Sequence, residues 1–185
     1  MGQILEVRWH GRGGLGAVTS AELIARAAIN EGKYAQSFPS FGPERRGAPV
    51  LAFLRISDEF IRIRTDIYEP DVVVVIDPGL LRVVDVTAGL KENSMIVVNS
   101  RKSPEQLKSD FGYRWPIASV NASKIARETI KLPITNTAMI GAFLKVTEVV
   151  KMDSLVEQLR ERFGGRSEAN AEAMRRAYNE TVIRG

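Results

Sequence analysis

Six consecutive residues, Gly11, Arg12, Gly13, Gly14, Leu15 and Gly16, have the types and spacing to hold an anion. Gly11, Gly13 and Gly16 fit the pattern G-x-G-x-x-G, whose glycines permit a tight turn, close approach of a ligand to the backbone, and close helix-to-strand packing. A helix starting there presents N–H groups without intrahelical acceptors and a positive dipole end, which suit a phosphate or carboxylate. Arg12 adds a full positive charge. The same turn also occurs where nothing binds and only its geometry matters, so both readings stand. The nicotinamide version of the pattern places an acidic residue about 20 residues beyond the glycines to hold a ribose. Here the second strand ends Gln36, Ser37, Phe38 without a carboxylate. The loop therefore reads as an anion or backbone-docking site rather than an NAD site.

The second stretch with chemical potential runs from Phe38 to Val50. Three prolines and two glycines exclude regular structure from most of it, so it reads as a loop of fixed shape joining two strands. It carries Phe41, Glu44, Arg45 and Arg46. Two adjacent guanidinium groups suit forked contacts with phosphate or carboxylate; solvated surface charge and internal ion pairing are the plainer alternatives, and Glu44 can pair with either arginine. His10, beside the glycine loop, reads as a packed or hydrogen-bonded turn residue rather than a proton carrier. Asp77 either caps the helix that Pro78 opens or faces a ligand crevice. Trp9 and Trp115 read as core or interface aromatics.

The elements that position these residues follow from hydrophobic periodicity. An apolar run from Ile4 through Val7 to Trp9 predicts a buried strand, and Val18, Ala21, Ile24, Ala25 and Ala28 recur at helical spacing until Gly32. Tyr34–Phe38, Val50–Ile56, Val72–Ile76, Met95–Val98 and Ile117–Val120 read as further strands, the last of these closing the set. Ile61 to Arg64 alternates as a half-exposed strand does, predicting a hairpin with Val50–Ile56. Ser103-Pro104-Glu105 and Asn121 signal helix starts. From Asn136 onward the period is helical only: Met139, Ile140, Phe143, Val146 and Val150 form one stripe, and Leu155, Leu159 and Phe163 the next. Ser167 is expected to cap a third helix running to about Val182. The expected fold is α/β, a Rossmann-like, mostly parallel sheet with an antiparallel hairpin component and C-terminal helices over one face, in a single domain spanning residues 1–185.

Composition narrows the chemistry. The 185 residues contain no cysteine and one histidine, which excludes disulfides, iron–sulfur ligation by this chain and a thiolate nucleophile, and weakens zinc or histidine-triad chemistry. Twenty-six basic against 22 acidic residues leave a net charge of +4 that is scattered along the chain. A basic RNA-associated protein is disfavoured because such proteins concentrate charge in a patch. A small nucleotide-binding dehydrogenase is disfavoured by the missing acid after the second strand. No apolar run reaches membrane-spanning length and no signal-peptide pattern opens the chain, so a cytoplasmic protein is expected.

Four motifs in order carry a resemblance: His10 to Val18, Phe41-Gly42-Pro43-Glu44-Arg45-Arg46-Gly47, Tyr68-Glu69-Pro70-Asp71, and Asn136-Thr137-Ala138-Met139-Ile140-Gly141-Ala142. Over nearly its whole length the chain resembles the gamma subunit of 2-oxoacid:ferredoxin oxidoreductases, above all those of the pyruvate synthase (pyruvate:ferredoxin oxidoreductase) type. The resemblance implies assembly with alpha, beta and delta subunits, and ferredoxin as the electron acceptor of the complex. It implies an enzyme that uses thiamine diphosphate, magnesium, iron–sulfur clusters and coenzyme A, none of them bound by this chain alone, and an isolated chain that is inactive. No catalytic residue is expected here. Gly11, Arg12, Gly13, Gly14 and Gly16 become candidates for holding coenzyme A or another anion, and Phe41, Glu44, Arg45 and Arg46 for a partner interface or coenzyme A. The loop Phe41 to Pro49 resembles most those of pyruvate synthase gamma chains, which implies pyruvate over a branched-chain 2-oxoacid or 2-oxoglutarate.

Overall fold

The computed structural model describes residues 4–40 and 47–185. Among these, seven strands form one sheet: β1 (Leu5–Arg12), β2 (Tyr34–Pro39), β3 (Pro49–Ser57), β4 (Val72–Val75), β5 (Met95–Asn99), β6 (Ile117–Val120) and β7 (Val182–Arg184), in the order β2-β3-β1-β4-β5-β6-β7. β1, β4, β5 and β6 run parallel in the middle. β3 lies antiparallel to β1, β2 antiparallel to β3, and β7 antiparallel to β6. The expected Rossmann-like sheet with an antiparallel component is present.

Six α-helices accompany the sheet: α1 (Ala17–Asn30), α2 (Pro104–Phe111), α3 (Ala122–Thr129), α4 (Asn136–Thr147), α5 (Met152–Phe163) and α6 (Ser167–Glu180). Strand alternation decides what each face meets. Val7, Trp9, Val72 and Val74 join α1 and α3–α6 in the larger core, and Val73, Val75, Ile96 and Val98 join the 3-10 helix Pro78–Arg82 and α2 on the opposite face. The C-terminal helices cover one face, as expected. Within that layer α4 is enclosed on all sides, every residue from Asn136 to Leu144 being buried.

Three expected elements differ. Ile61 to Arg64 is not a strand. Both edges of β3 are already taken, by β1 and by β2, so no hydrogen-bonding edge is left for a hairpin partner. Instead Ile61 and Ile67 are buried as plugs, while Arg62, Ile63 and Arg64 stay exposed. The antiparallel hairpin is β2–β3. Nor is Ile117–Val120 the last strand, because the chain turns at Thr181 and β7 pairs along β6. Finally, Ser167 is the first residue of α6 and makes no side-chain cap, since a 3-10 turn over Gly164–Arg166 leads directly into the helix.

The loop that replaces the expected strand is held by a buried cation. Arg55 is 1% exposed; its Nε donates to Glu6 Oε1 at 2.8 Å and its Nη1 to the Thr65 carbonyl at 2.8 Å. Removing one member of a buried pair leaves the other uncompensated, at about 3 kcal/mol or more. Arg55→Met is expected to lower the unfolding free energy by about 3 kcal/mol, measured by urea denaturation, and adding Glu6→Met is expected to recover part of the loss. A double variant less stable than the single one would contradict this account.

Candidate functional site

The glycine loop joins β1 to α1 at the point where the sheet changes its winding. α1 leaves β1 toward one face, and the 3-10 helix after β4, the neighbouring parallel strand, leaves toward the other. In open α/β sheets ligands sit in the crevice that such a divergence opens beyond the carboxyl ends of the strands. Gly11 and Arg12 belong to β1 itself, so the turn proper spans Gly13 to Gly16.

Each glycine has a separate physical role. A Cβ on Gly11 would lie 2.9 Å from the Cβ of Ala17, so Gly11 lets α1 pack down on the strand end. Gly16 adopts φ +80°, and a Cβ there would lie 2.8 Å from Asn136 Nδ2, so it accommodates the start of α4. Gly14, at φ +91°, is exposed and meets nothing within 4 Å, leaving its backbone open to a ligand. Gly13 is tied to the far side of the shaped loop: its N–H donates to the Ala48 carbonyl at 3.0 Å and its carbonyl accepts from Gly47 N–H at 3.4 Å. The first i−4 bond of α1 runs from Ser20 to Gly16. Ala17, Val18 and Thr19 thus present N–H groups without intrahelical acceptors next to Gly14.

Arg12 does not point freely into the crevice. Its Nε donates to Asp77 Oδ2 and its Nη1 to the Gly47 carbonyl at 3.0 Å. Asp77 resolves the two alternatives left for it by doing both: Oδ1 accepts from Gly79 N–H at 2.8 Å, capping the 3-10 helix, while Oδ2 bridges the crevice. Arg12 and Asp77 thereby tie β1, β4 and the end of the shaped loop together. Phe41, Glu44, Arg45 and Arg46 lie outside the described residues.

The polar face of β1 was the signal missed in sequence. Glu6, Arg8, His10 and Arg12 alternate with Val7, Trp9 and Gly11, a period-2 pattern that an apolar run through Trp9 hides. Arg8 Nε donates to His10 Nε2 at 3.1 Å, and its Nη2 donates to the carbonyls of Val86 and Ala88 at 3.1 and 2.6 Å. His10 is a strand residue rather than a turn residue. Its pKa is pushed down to about 3, first by burial and then by the Arg8 guanidinium, with Asp85 opposing. It is neutral at physiological pH and accepts a hydrogen bond. Trp9 lies wholly in the core against Phe143, with ring centroids 5.5 Å apart, and its Nε1–H lacks a partner among the described residues. Trp115, half-buried, donates Nε1–H to the Lys91 carbonyl at 2.8 Å.

A model of the family described as pyruvate ferredoxin/flavodoxin oxidoreductase matches residues 6–180. The chain belongs to this family. It is 54% identical over 182 residues to the pyruvate/ketoisovalerate oxidoreductases common subunit gamma of Thermococcus kodakarensis, covering 97% of this chain and 98% of that one. It is 50% identical over 179 residues to pyruvate synthase subunit PorC of Methanothermobacter thermautotrophicus, covering 96% of each. The crystal structure of the pyruvate oxidoreductase subunit PORC of Thermotoga maritima superposes with a TM-score of 0.88 at 38% identity, over 99% of both chains. The resemblance read from four motifs is borne out.

Within this oxidoreductase family member, two of those motifs meet: Gly16 of the first rests on Asn136 of the fourth. The third lies at the opposite edge of the sheet. Asp71 Oδ2 accepts from Glu6 N–H at 2.8 Å and Oδ1 from Lys91 Nζ at 2.9 Å. Gly89, at φ +74°, is held against the Tyr68 carbonyl, which a Cβ would approach to 1.9 Å. Tyr68–Asp71 therefore closes the amino end of the sheet and stays away from the crevice. Among the described residues no group of three metal-ligating side chains is placed to hold an ion, and no helix is long and apolar enough to cross a membrane.

Proposed function

We propose that this chain is the gamma subunit of a multi-subunit, cytoplasmic pyruvate:ferredoxin oxidoreductase, which converts pyruvate to acetyl-CoA and carbon dioxide and reduces ferredoxin. Its own task is to dock on the alpha, beta and delta subunits and to hold an anionic part of coenzyme A at the glycine loop. The carrying observation is Gly14: exposed backbone facing open space, at the strand divergence, beside the unpaired N–H groups that start α1. That arrangement suits a phosphate without a dedicated cation, and Arg12, engaged by Asp77, serves to fix the loop. Coenzyme A when bound supplies the thiol that accepts the acyl group. The clusters fall to partner subunits, since this chain has no cysteine to ligate one, and thiamine diphosphate and magnesium are assigned to the partners with them.

A second reading has its own support. The Thermococcus relative is named as common to pyruvate and ketoisovalerate oxidoreductases, so one gamma chain serving two enzymes fits equally well with a loop that touches coenzyme A and not the oxoacid.

The test uses the complex purified through a tag on this chain. Thiamine- and cluster-bearing subunits are expected to co-purify, with pyruvate- and coenzyme A-dependent reduction of a low-potential dye. Asn and Asp both tolerate positive φ, so Gly14→Asn and Gly14→Asp differ mainly in charge. The aspartate variant is expected to raise KM for coenzyme A about tenfold over the asparagine variant, the loss of about 1.4 kcal/mol, with KM for pyruvate unchanged. Equal KM values would remove the loop from coenzyme A binding, and a chain purified alone would end the subunit reading.

A further inference from the structure

β4, β5 and β6 run parallel, so their carboxyl ends open on one edge of the sheet. After β5 the chain crosses to α2 on the second face, whereas after β6 it crosses to α3 on the first. Neighbouring parallel strands whose continuations part in this way leave a crevice between them, the same geometry that opens beside the glycine loop. The crevice over β5 and β6 is a cavity of about 350 Å3, well inside the described residues. It lies beyond β4 from the glycine loop and shares no lining residue with it.

Its floor is built and fixed. Asn99, 3% exposed at the end of β5, donates Nδ2 to the Ile76 carbonyl at 2.9 Å and to Ser123 Oγ at 3.0 Å, and its Oδ1 accepts from Ser123 N–H at 3.2 Å. Asn121 caps α3 by accepting from Lys124 N–H at 3.0 Å. One wall is apolar: Leu81 and Leu107 lie beside Phe111, whose ring stacks on Tyr113 with centroids 5.5 Å apart. The rim is cationic. Arg82, the adjacent pair Arg101 and Lys102, and Arg127 come from three places in the chain to line this one cavity. Only Lys102 has a carboxylate partner among the described residues, Asp110.

Three exposed guanidinium groups at one opening repel each other unless an anion lies between them, and their forked N–H groups match phosphate oxygens. An apolar wall beside such a rim suits the body that carries the phosphate. We infer that this crevice is a second binding site, distinct from the glycine loop, that takes an organic phosphate of the nucleoside monophosphate type. The phosphate sits on Arg82, Arg101 and Arg127, and the body lies along Leu81, Leu107 and Phe111.

The test is calorimetric titration of the full chain with AMP, adenosine and inorganic phosphate. AMP is expected to bind saturably, at least about tenfold more tightly than either of its parts, because charge-assisted bonds and apolar burial then act together. Arg101→Gln and Arg127→Gln change exposed side chains without disturbing the floor, and each is expected to weaken AMP about tenfold. Gly14→Asp, in the other crevice, is expected to leave AMP binding unchanged. The proposal is overturned by no saturable AMP binding, by inorganic phosphate binding as tightly as AMP, by binding indifferent to both arginine changes, or by a loss on Gly14→Asp equal to theirs.

Discussion

On acidification from about pH 6.5 to about pH 3, His10 alone is expected to cost the fold up to about 1.4 kcal/mol for each pH unit. In the unfolded chain an imidazole titrates near its ordinary value of about 6.5. In the folded chain His10 is 5% exposed and its pKa is pushed down to about 3. Between those two values the unfolded state binds a proton that the folded state refuses. Stability therefore rises with pH across the window: the contribution is fully present above the unfolded value and lost as pH falls toward the folded one. Integrated over the window, the loss is of order 4–5 kcal/mol, a large fraction of the roughly 5–15 kcal/mol that holds a typical domain together. Protonation would also take away the acceptor that Nε2 offers to Arg8 Nε, and Arg8 is the residue that pins the Val86 and Ala88 carbonyls. His10→Gln keeps an acceptor for Arg8 without a titrating group. Urea denaturation at several pH values should show a steep acid limb for the native sequence and a flatter one for His10→Gln. Parallel profiles for the two proteins would mean that His10 does not carry this penalty.

The same residue illustrates what was and was not legible. The strands β1 to β6 and α1 were read correctly because a buried strand or an amphipathic helix leaves its period in the sequence, as Val72–Val75 and Val18 through Ala28 do. The alternation Glu6, Arg8, His10, Arg12 was equally present but was hidden by the apolar run through Trp9, and charged side chains are seldom buried unless paired. The partners that make burial tolerable are far along the chain: Asp77 for Arg12, the Val86 and Ala88 carbonyls for Arg8, and the Arg55 guanidinium for Glu6. Non-local pairing of this kind has no periodic signature. It also explains why the strand expected at Ile61–Arg64 did not form: its alternation was real while the edge it needed was occupied. At the candidate site the glycine spacing was legible because it encodes backbone conformation. The disposition of Arg12 was not, because it depends on a carboxylate 65 residues away.

Gly141→Ala is expected to lower stability by about 3–5 kcal/mol, although alanine is the better helix former. Gly141 is the sixth residue of α4, in the helix interior, where propensity alone favours alanine by about 1 kcal/mol. Packing opposes it. An added Cβ would lie 2.0 Å from the Met174 carbonyl oxygen, 2.9 Å from its carbon and 3.1 Å from its Cα. All three are backbone atoms, so no rotamer change relieves the clash, and α6 must retreat by about 1.5 Å to restore ordinary contact. That retreat opens the core around Ala171, Ala173, Met174 and Ala177, and such voids are costly because interiors are close-packed. The packing cost exceeds the propensity gain several-fold, which fixes the sign. For a domain of this size each kcal/mol moves Tm by about 2–4 °C, so a drop of about 10 °C is expected in a thermal melt. Gly165→Ala provides the control: a Cβ there meets nothing within 4 Å, and its melt is expected to stay near that of the native sequence. A Gly141→Ala melt equal to the control would show that α6 yields at no cost. Because α4 begins at Asn136, against which Gly16 rests, loosening the contact between α4 and α6 also reaches the glycine loop. The close helix crossing at Gly141 thus supports the candidate site from the far side of the core.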